Sequence, residues 1–280
     1  MFSRLGHSLD RLAMETVRWA FSYSAWVPCR EDWLLAMRLV QPEEKERIEQ
    51  FVFCRDAKAA MAGRLLIRKV IAEKLNIPWN KIQLHRTSKG KPFLANDLSH
   101  SQSSFSFNVS HHGNYSVLAA ESDCQVGIDI MKTSLPGSGS VPDFFRIMKR
   151  QFTEEEWRMI LSMNNEWLQL DMFHRHWLEV GKTYVDTVLL LDGEVEKDWT
   201  FEETRLDESH HVAVALGKAR PLGEKHDGVL PTCVTPTPFT VLSFDDLVAS
   251  GVPLAPKDAA CWDTFCSKQE SPARQSSNPR

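Results

Sequence analysis

The chain has 280 residues, 42% hydrophobic and 25% charged, a globular composition with enough material for one large core or two smaller ones. A formal net charge of −4 excludes wholesale nucleic-acid binding, because recognition of a phosphate backbone shows as a basic excess over a whole domain, so any polyanion site must be local. No apolar run reaches the roughly 20 residues that span a bilayer, and six scattered cysteines with no CxxC pair and no secretory leader point to reduced thiols in the cytosol.

Met1 to Leu12 carries Arg4, His7 and Arg11 against Asp10 alone, and is read as a frayed terminus, with a weak targeting helix as the alternative. Val17, Trp19 and Phe21 alternate with Arg18 and Ala20, which predicts a strand. A helix is expected from Arg30 to Val40, with Trp33, Leu34 and Met37 on one side. Pro42 opens the next, where its missing N–H costs nothing and Glu43 and Glu44 suit the positive end; this helix carries Arg47. From Asp56 to Leu75 the pairs Met61/Leu65, Leu66/Val70 and Ile67/Ile71 recur at i, i+4, predicting a long amphipathic helix across a sheet.

Strands are expected at Ile82 to Arg86, Phe105 to Ser110 and Tyr115 to Ala120, the last two antiparallel because only a turn at His112, Gly113 and Asn114 joins them. Another strand follows from Val126 to Met131, then a loop at Pro136 to Gly139. Thr153 and Glu156 form a capping box that starts a helix. A helix from Trp167 to Trp177 and strands at Tyr184 to Leu191 and His211 to Leu216 complete this part. Beyond Gly217 the chain is rich in Pro, Thr and charge, with ordered segments expected at Phe239 to Leu247 and Trp262 to Cys266, and a disordered composition over 268–280. The pattern predicts an α+β architecture with two related lobes.

Three short segments carry chemistry. Arg86, Thr87, Ser88, Lys89, Gly90, Lys91 and Pro92 place three cations around a glycine between strands, suited to surrounding an anion, though a solvated basic loop has the same composition. Asn108, Val109, Ser110 and His111 end a strand in small donors and an imidazole able to reach a phosphate oxygen; a hydrogen-bonded turn histidine is the plainer alternative. Asp129, in an apolar strand, offers a hard oxygen to a divalent ion, or is an ordinary turn or capping residue.

Taken together, Gly-Lys-Pro, Asn-x-Ser-His and Gly-Ile-Asp, in that order between Gly90 and Asp129, resemble the signature of the 4′-phosphopantetheinyl transferases, of the eukaryotic aminoadipate-semialdehyde-dehydrogenase type. The resemblance covers residues 14–216 and implies a pseudo-twofold, two-lobed α+β fold. Each lobe would be a small antiparallel sheet with a long helix: an N-terminal lobe at 14–120, a C-terminal lobe at 121–216 and a partly disordered extension at 217–280. It implies transfer of phosphopantetheine from coenzyme A to a serine of an apo acyl carrier or peptidyl carrier domain, on a fatty-acid synthase or a reductase of lysine metabolism, by a cytosolic monomer. By the same resemblance Arg47 and Arg86 to Lys91 would grip the nucleotide and its phosphates. Asn108, Val109, Ser110 and His111 would line the pyrophosphate, and Asp129 would hold Mg²⁺. Met131 stands where bacterial relatives often carry a second metal-binding glutamate, and a soft thioether does not replace it.

The family motif WxxKExxxK should follow, supplying a metal-binding glutamate and a phosphate-binding lysine. Here Trp177 is followed by Leu178, Glu179, Val180, Gly181, Lys182, Thr183 and Tyr184. Glu179 lies two positions after the tryptophan instead of four, which on a helix turns it by about 200° away from the motif's direction. Lys182 lies five positions after it instead of eight. The strand beginning near Lys182 resembles one that normally comes only after the motif helix. An internal stretch is therefore missing, as skipped coding sequence would produce, and the second lobe is expected to be incomplete. No catalytic residue of that motif remains, and transfer is expected to be lost or impaired; the alternative is a chain that only binds coenzyme A or a carrier.

Overall fold

The structure is a computed structural model that describes residues 16–97, 105–135, 139–177, 189–191, 194–196, 198–218 and 237–270. In chain order these form β1 (Val17–Ser22), α1 (Arg30–Arg38), α2 (Pro42–Glu49), α3 (Cys54–Lys74), β2 (Leu84–Arg86), β3 (Pro92–Leu94), β4 (Ser106–His112), β5 (Tyr115–Glu121) and β6 (Cys124–Lys132). Then come α4 (Val141–Met148), α5 (Glu154–Leu161), α6 (Glu166–Trp177), β7 (Leu189–Leu191), β8 (Glu194–Glu196), β9 (Trp199–Asp207) and β10 (His210–Lys218). The segment after 236 supplies β11 (Thr240–Val241), α7 (Phe244–Val248) and α8 (Ala260–Cys266). The chain is thus α+β, as expected, with mostly antiparallel strands. None of the described helices is long and apolar enough to cross a membrane.

One sheet has the order β11-β1-β5-β4 and another β6-β10-β9. Helix α3 crosses the first, burying Leu65, Leu66, Ile67, Val70 and Ile71 with Phe21, Leu118 and Ala120 of the strands. Each such aliphatic side chain contributes about 1.5–3 kcal/mol on leaving water. Helix α3 holds no proline, and it ends where Asn76 takes the left-handed conformation at φ 53°. A second cluster joins the sheets, with Ala20, Val117 and Ala119 packed against Val126, Ile130, Val212, Val214 and Leu216. Covered on both faces, β1 does not show the exposed polar face that alternation predicts. Its Arg18 is buried and pairs with Glu121 at 2.7 Å and Glu202 at 3.0 Å, tying β1 to β9.

Strand β4 runs beside β6 in the same direction, joined through side chains. The Val126 N–H donates to Ser106 Oγ at 3.1 Å, Ser110 Oγ–H donates to Asp129 Oδ1 at 2.6 Å, and the Lys132 N–H donates to His112 Nδ1 at 2.9 Å. At the β4–β5 turn Gly113 has φ 61°, and a β-carbon there would lie 2.2 Å from His210 Nε2. Only glycine fits.

The segment over 237–270 packs on the first core. Strand β11 pairs parallel with β1, and Leu247, Cys261 and Phe265 are buried there. Lys268 and Gln269, expected in the disordered tail, are instead bonded. Gln269 forms a bridge with Phe53, and Lys268 Nζ donates to the carbonyls of Glu49 at 2.7 Å and Phe51 at 2.6 Å. The cation caps the carbonyl end of α2, where a positive charge is favoured. The disordered composition over 271–280 and the Met1 to Leu12 reading lie outside the described residues.

Candidate functional site

Five pieces of chain converge on a cavity of about 280 Å³. Its walls are Arg47 from α2, Phe51 from the α2–α3 connection, Asp56, Ala59, Ala60, Gly63 and Arg64 from α3, Arg86 and Pro92 from the β2–β3 hairpin, and Val109 and His111 from β4. Strand alternation explains the last pair. Odd positions of β4 turn toward α3 and the cavity, whereas Ser106, Ser110 and His112 turn to β6.

Arg47 is exposed, lies over the Phe51 ring at 5.2 Å and has no carboxylate partner among the described residues. Arg86 is held differently. Its Nε and Nη2 donate to the two oxygens of Glu44 at 3.0 and 2.9 Å, and its Nη1 donates to the Gly90 carbonyl at 2.8 Å. Arg86 therefore braces the loop. Within that loop Thr87 N–H donates to the Lys91 carbonyl at 2.9 Å, Lys91 N–H donates to Thr87 Oγ1 at 3.1 Å, and Gly90 turns through φ 81°. Ser88, Lys89 and Lys91 stand exposed outside the cavity lining, between two residues that do line it, Arg86 and Pro92.

His111 is exposed at the end of β4, yet desolvation of its ring against the cavity wall lowers its pKa from the ordinary histidine value; Asp56 opposes this, Arg47 and Arg55 add to it, and Asp129 opposes it. Asn108 Oδ1 accepts from the Val109 N–H at 2.8 Å, and so orders its own strand. Asp129 is exposed on β6, its Oδ1 accepting from Ser110 and, at 2.9 Å, from the Ile130 N–H. Among the described residues no group of three or more His, Cys, Asp or Glu could hold a metal ion. Helix α6 ends at Trp177, and Glu179 and Lys182 lie outside the described residues.

Glu44, Asp56 and Arg64 escaped sequence reasoning. Arg64 and Arg68 fall four apart inside the apolar run from Met61 to Ile71, and charges in such a run are the signal that could have found them.

The family described as "4'-phosphopantetheinyl transferase, N-terminal" matches residues 24–123. The L-aminoadipate-semialdehyde dehydrogenase-phosphopantetheinyl transferase of Homo sapiens is 54% identical over 294 residues, covering 94% of this chain and 94% of that protein. Its Mus musculus counterpart is 53% identical over 290 residues, covering 92% and 93%. The 4'-phosphopantetheinyl transferase Sfp of Bacillus subtilis is 30% identical over 141 residues, half of this chain and 57% of that protein. Both mammalian alignments are longer than the whole 280-residue chain, so these relatives carry internal residues with no counterpart here. With the mammalian proteins matched over nearly their full length, the chain belongs to the 4′-phosphopantetheinyl transferase family.

Proposed function

We propose that this chain transfers 4′-phosphopantetheine from coenzyme A to a serine of an apo carrier protein and releases adenosine 3′,5′-bisphosphate. The observation that carries this reading is the cavity where Arg47, Arg86, Val109 and His111, from three separated motifs, come together beside an exposed lysine loop. Phosphoryl transfer asks a protein mainly for positioning and charge neutralisation. Arg47, Lys89 and Lys91 offer the cations and Arg86 braces the loop that bears the lysines. His111 offers a hydrogen bond to the pyrophosphate, while the Ser110 hydroxyl is engaged with Asp129; the carrier serine attacks the pyrophosphate and the bisphosphate leaves.

Mg²⁺ fits as an ion bound by one carboxylate, Asp129, with phosphate oxygens and water completing the shell, because Mg²⁺ keeps several waters in such sites. When bound it neutralises pyrophosphate charge. Ser110 would orient the Asp129 carboxylate. Carrier domains of fatty-acid synthesis and of aminoadipate-semialdehyde dehydrogenase are the substrates this reading names, the latter supported by the names of the mammalian relatives. Five free cysteines among the described residues support a cytosolic site of action, where we take the chain to work as a monomer.

The test is intact-mass analysis of an apo carrier protein incubated with coenzyme A, Mg²⁺ and a high concentration of this chain. A phosphopantetheine adduct that disappears with Asp129→Ala is expected. A specific observation favours a second reading: no Lys-Glu pair follows Trp177 at the motif spacing. Coenzyme A binding with no adduct after prolonged incubation would replace transfer with that reading, a binding protein without turnover.

A further inference from the structure

We propose that Arg64, in the buried wall of the cavity, is a further phosphate ligand for coenzyme A, an inference that rests on the transferase reading above. Its side chain is only 8% exposed, yet its position in α3 makes it part of the cavity lining. The acid beside it is Glu44, 3.5 Å from Arg64 Nη1. Both Glu44 oxygens already accept from the Arg86 fork, at 3.0 and 2.9 Å. Among the described residues Arg64 Nη1 has no hydrogen-bond partner.

A buried guanidinium with an unmatched N–H is costly, and an anion entering the cavity would offset that cost with a charge-assisted bond. Among the described residues Glu44 is the one carboxylate paired with Arg64. Burial and the nearby Arg86 and Arg47 push its pKa down to about 10, against the pull of Glu44, so it remains charged at neutral pH. Around the cavity the guanidinium groups Arg47, Arg64 and Arg86 face the carboxylates Glu44 and Asp56. One positive charge is in excess. A guanidinium fork matches phosphate oxygens in pairs, and such charge-assisted bonds strengthen where water is excluded. Arg64 is not needed to satisfy Glu44, because Arg86 does so.

Coenzyme A titration by calorimetry into the full chain, Arg64→Met and Arg64→Lys tests this, with melting of each unliganded protein alongside. Arg64→Met should weaken coenzyme A about ten- to a hundredfold and flatten the salt dependence of binding, while its unliganded melting point holds or rises. Arg64→Lys should fall between. A lowered melting point with unchanged affinity would make Arg64 structural and overturn the proposal. Should Arg64→Met not fold, the Arg64 guanidinium nitrogen resonance of the parent chain decides: a shift on adding coenzyme A is expected, and no shift overturns it. Arg47→Ala separates the two levels. If Arg47→Ala and Arg64→Met both bind like the parent, the cavity reading fails; if Arg64→Met alone does, only the role of Arg64 fails.

Discussion

His174 is buried in α6, and burial, with His112 and His211 acting the same way, pushes its pKa down to about 4 against the Leu170 carbonyl and Asp171. A folded-state pKa below the unfolded value near 6.5 means that the unfolded chain binds more protons between the two, so stability rises with pH across that window. The contribution is complete above about 6.5 and is lost as pH falls toward 4. His210, fully buried, is also held low, mainly by burial, and adds the same sign. Urea unfolding at pH 7, 6 and 5 should therefore show falling stability, and His174→Gln should reduce the slope; an unchanged slope would remove His174 from the account. At this scale the sequence exposed residues with unusual neighbours. Arg47, Arg86 and His111 stood in recognisable segments, whereas Arg64 reads as one more helical arginine until α2 folds over it and Glu44 is shared.

Periodicity made β1, α1, α3, β4, β5 and β10 legible, since each is long enough to show an apolar repeat or is bounded by a clear turn. Elements whose support comes from elsewhere in the chain were not. The charges of β9 hide a strand whose Glu202 is buried only because Arg18 meets it. Strand β3 has three residues and forms only as the return of a hairpin, and β11 has two that pair in parallel with β1. The segment over 237–270 looked loop-rich because its apolar residues build no core of their own and instead join the one around α3. Phe265 stacks on Trp33 with ring centroids 4.0 Å apart. Phe265→Ala should cost about 3 kcal/mol in urea unfolding. A loss below about 1 kcal/mol, the scale of ordinary surface substitutions, would show that the extension is dispensable to the core.

For the molecule as a whole, the order of motifs from Gly90 to Asp129 carried the family, and near full-length matches to the mammalian transferases agree. The α+β class was legible too, because helical and strand periods alternate along the chain. The spatial cavity was not, because sequence spacing says nothing of how α2, α3, β4 and the hairpin meet. The residues proposed above to bind phosphate are present in the chain, whereas no Lys-Glu pair follows Trp177 at the motif spacing. Removing one general-base or electrostatic group typically costs on the order of 10² to 10⁴ in rate. The most direct measurement compares carrier labelling with a fluorescent coenzyme A analogue by this chain and by the same chain with a WxxKExxxK segment restored after Trp177. The account predicts labelling at least about 10² faster after restoration, no gain from a scrambled helix of equal length, and coenzyme A binding by both proteins. Equal labelling rates with and without the segment would contradict it.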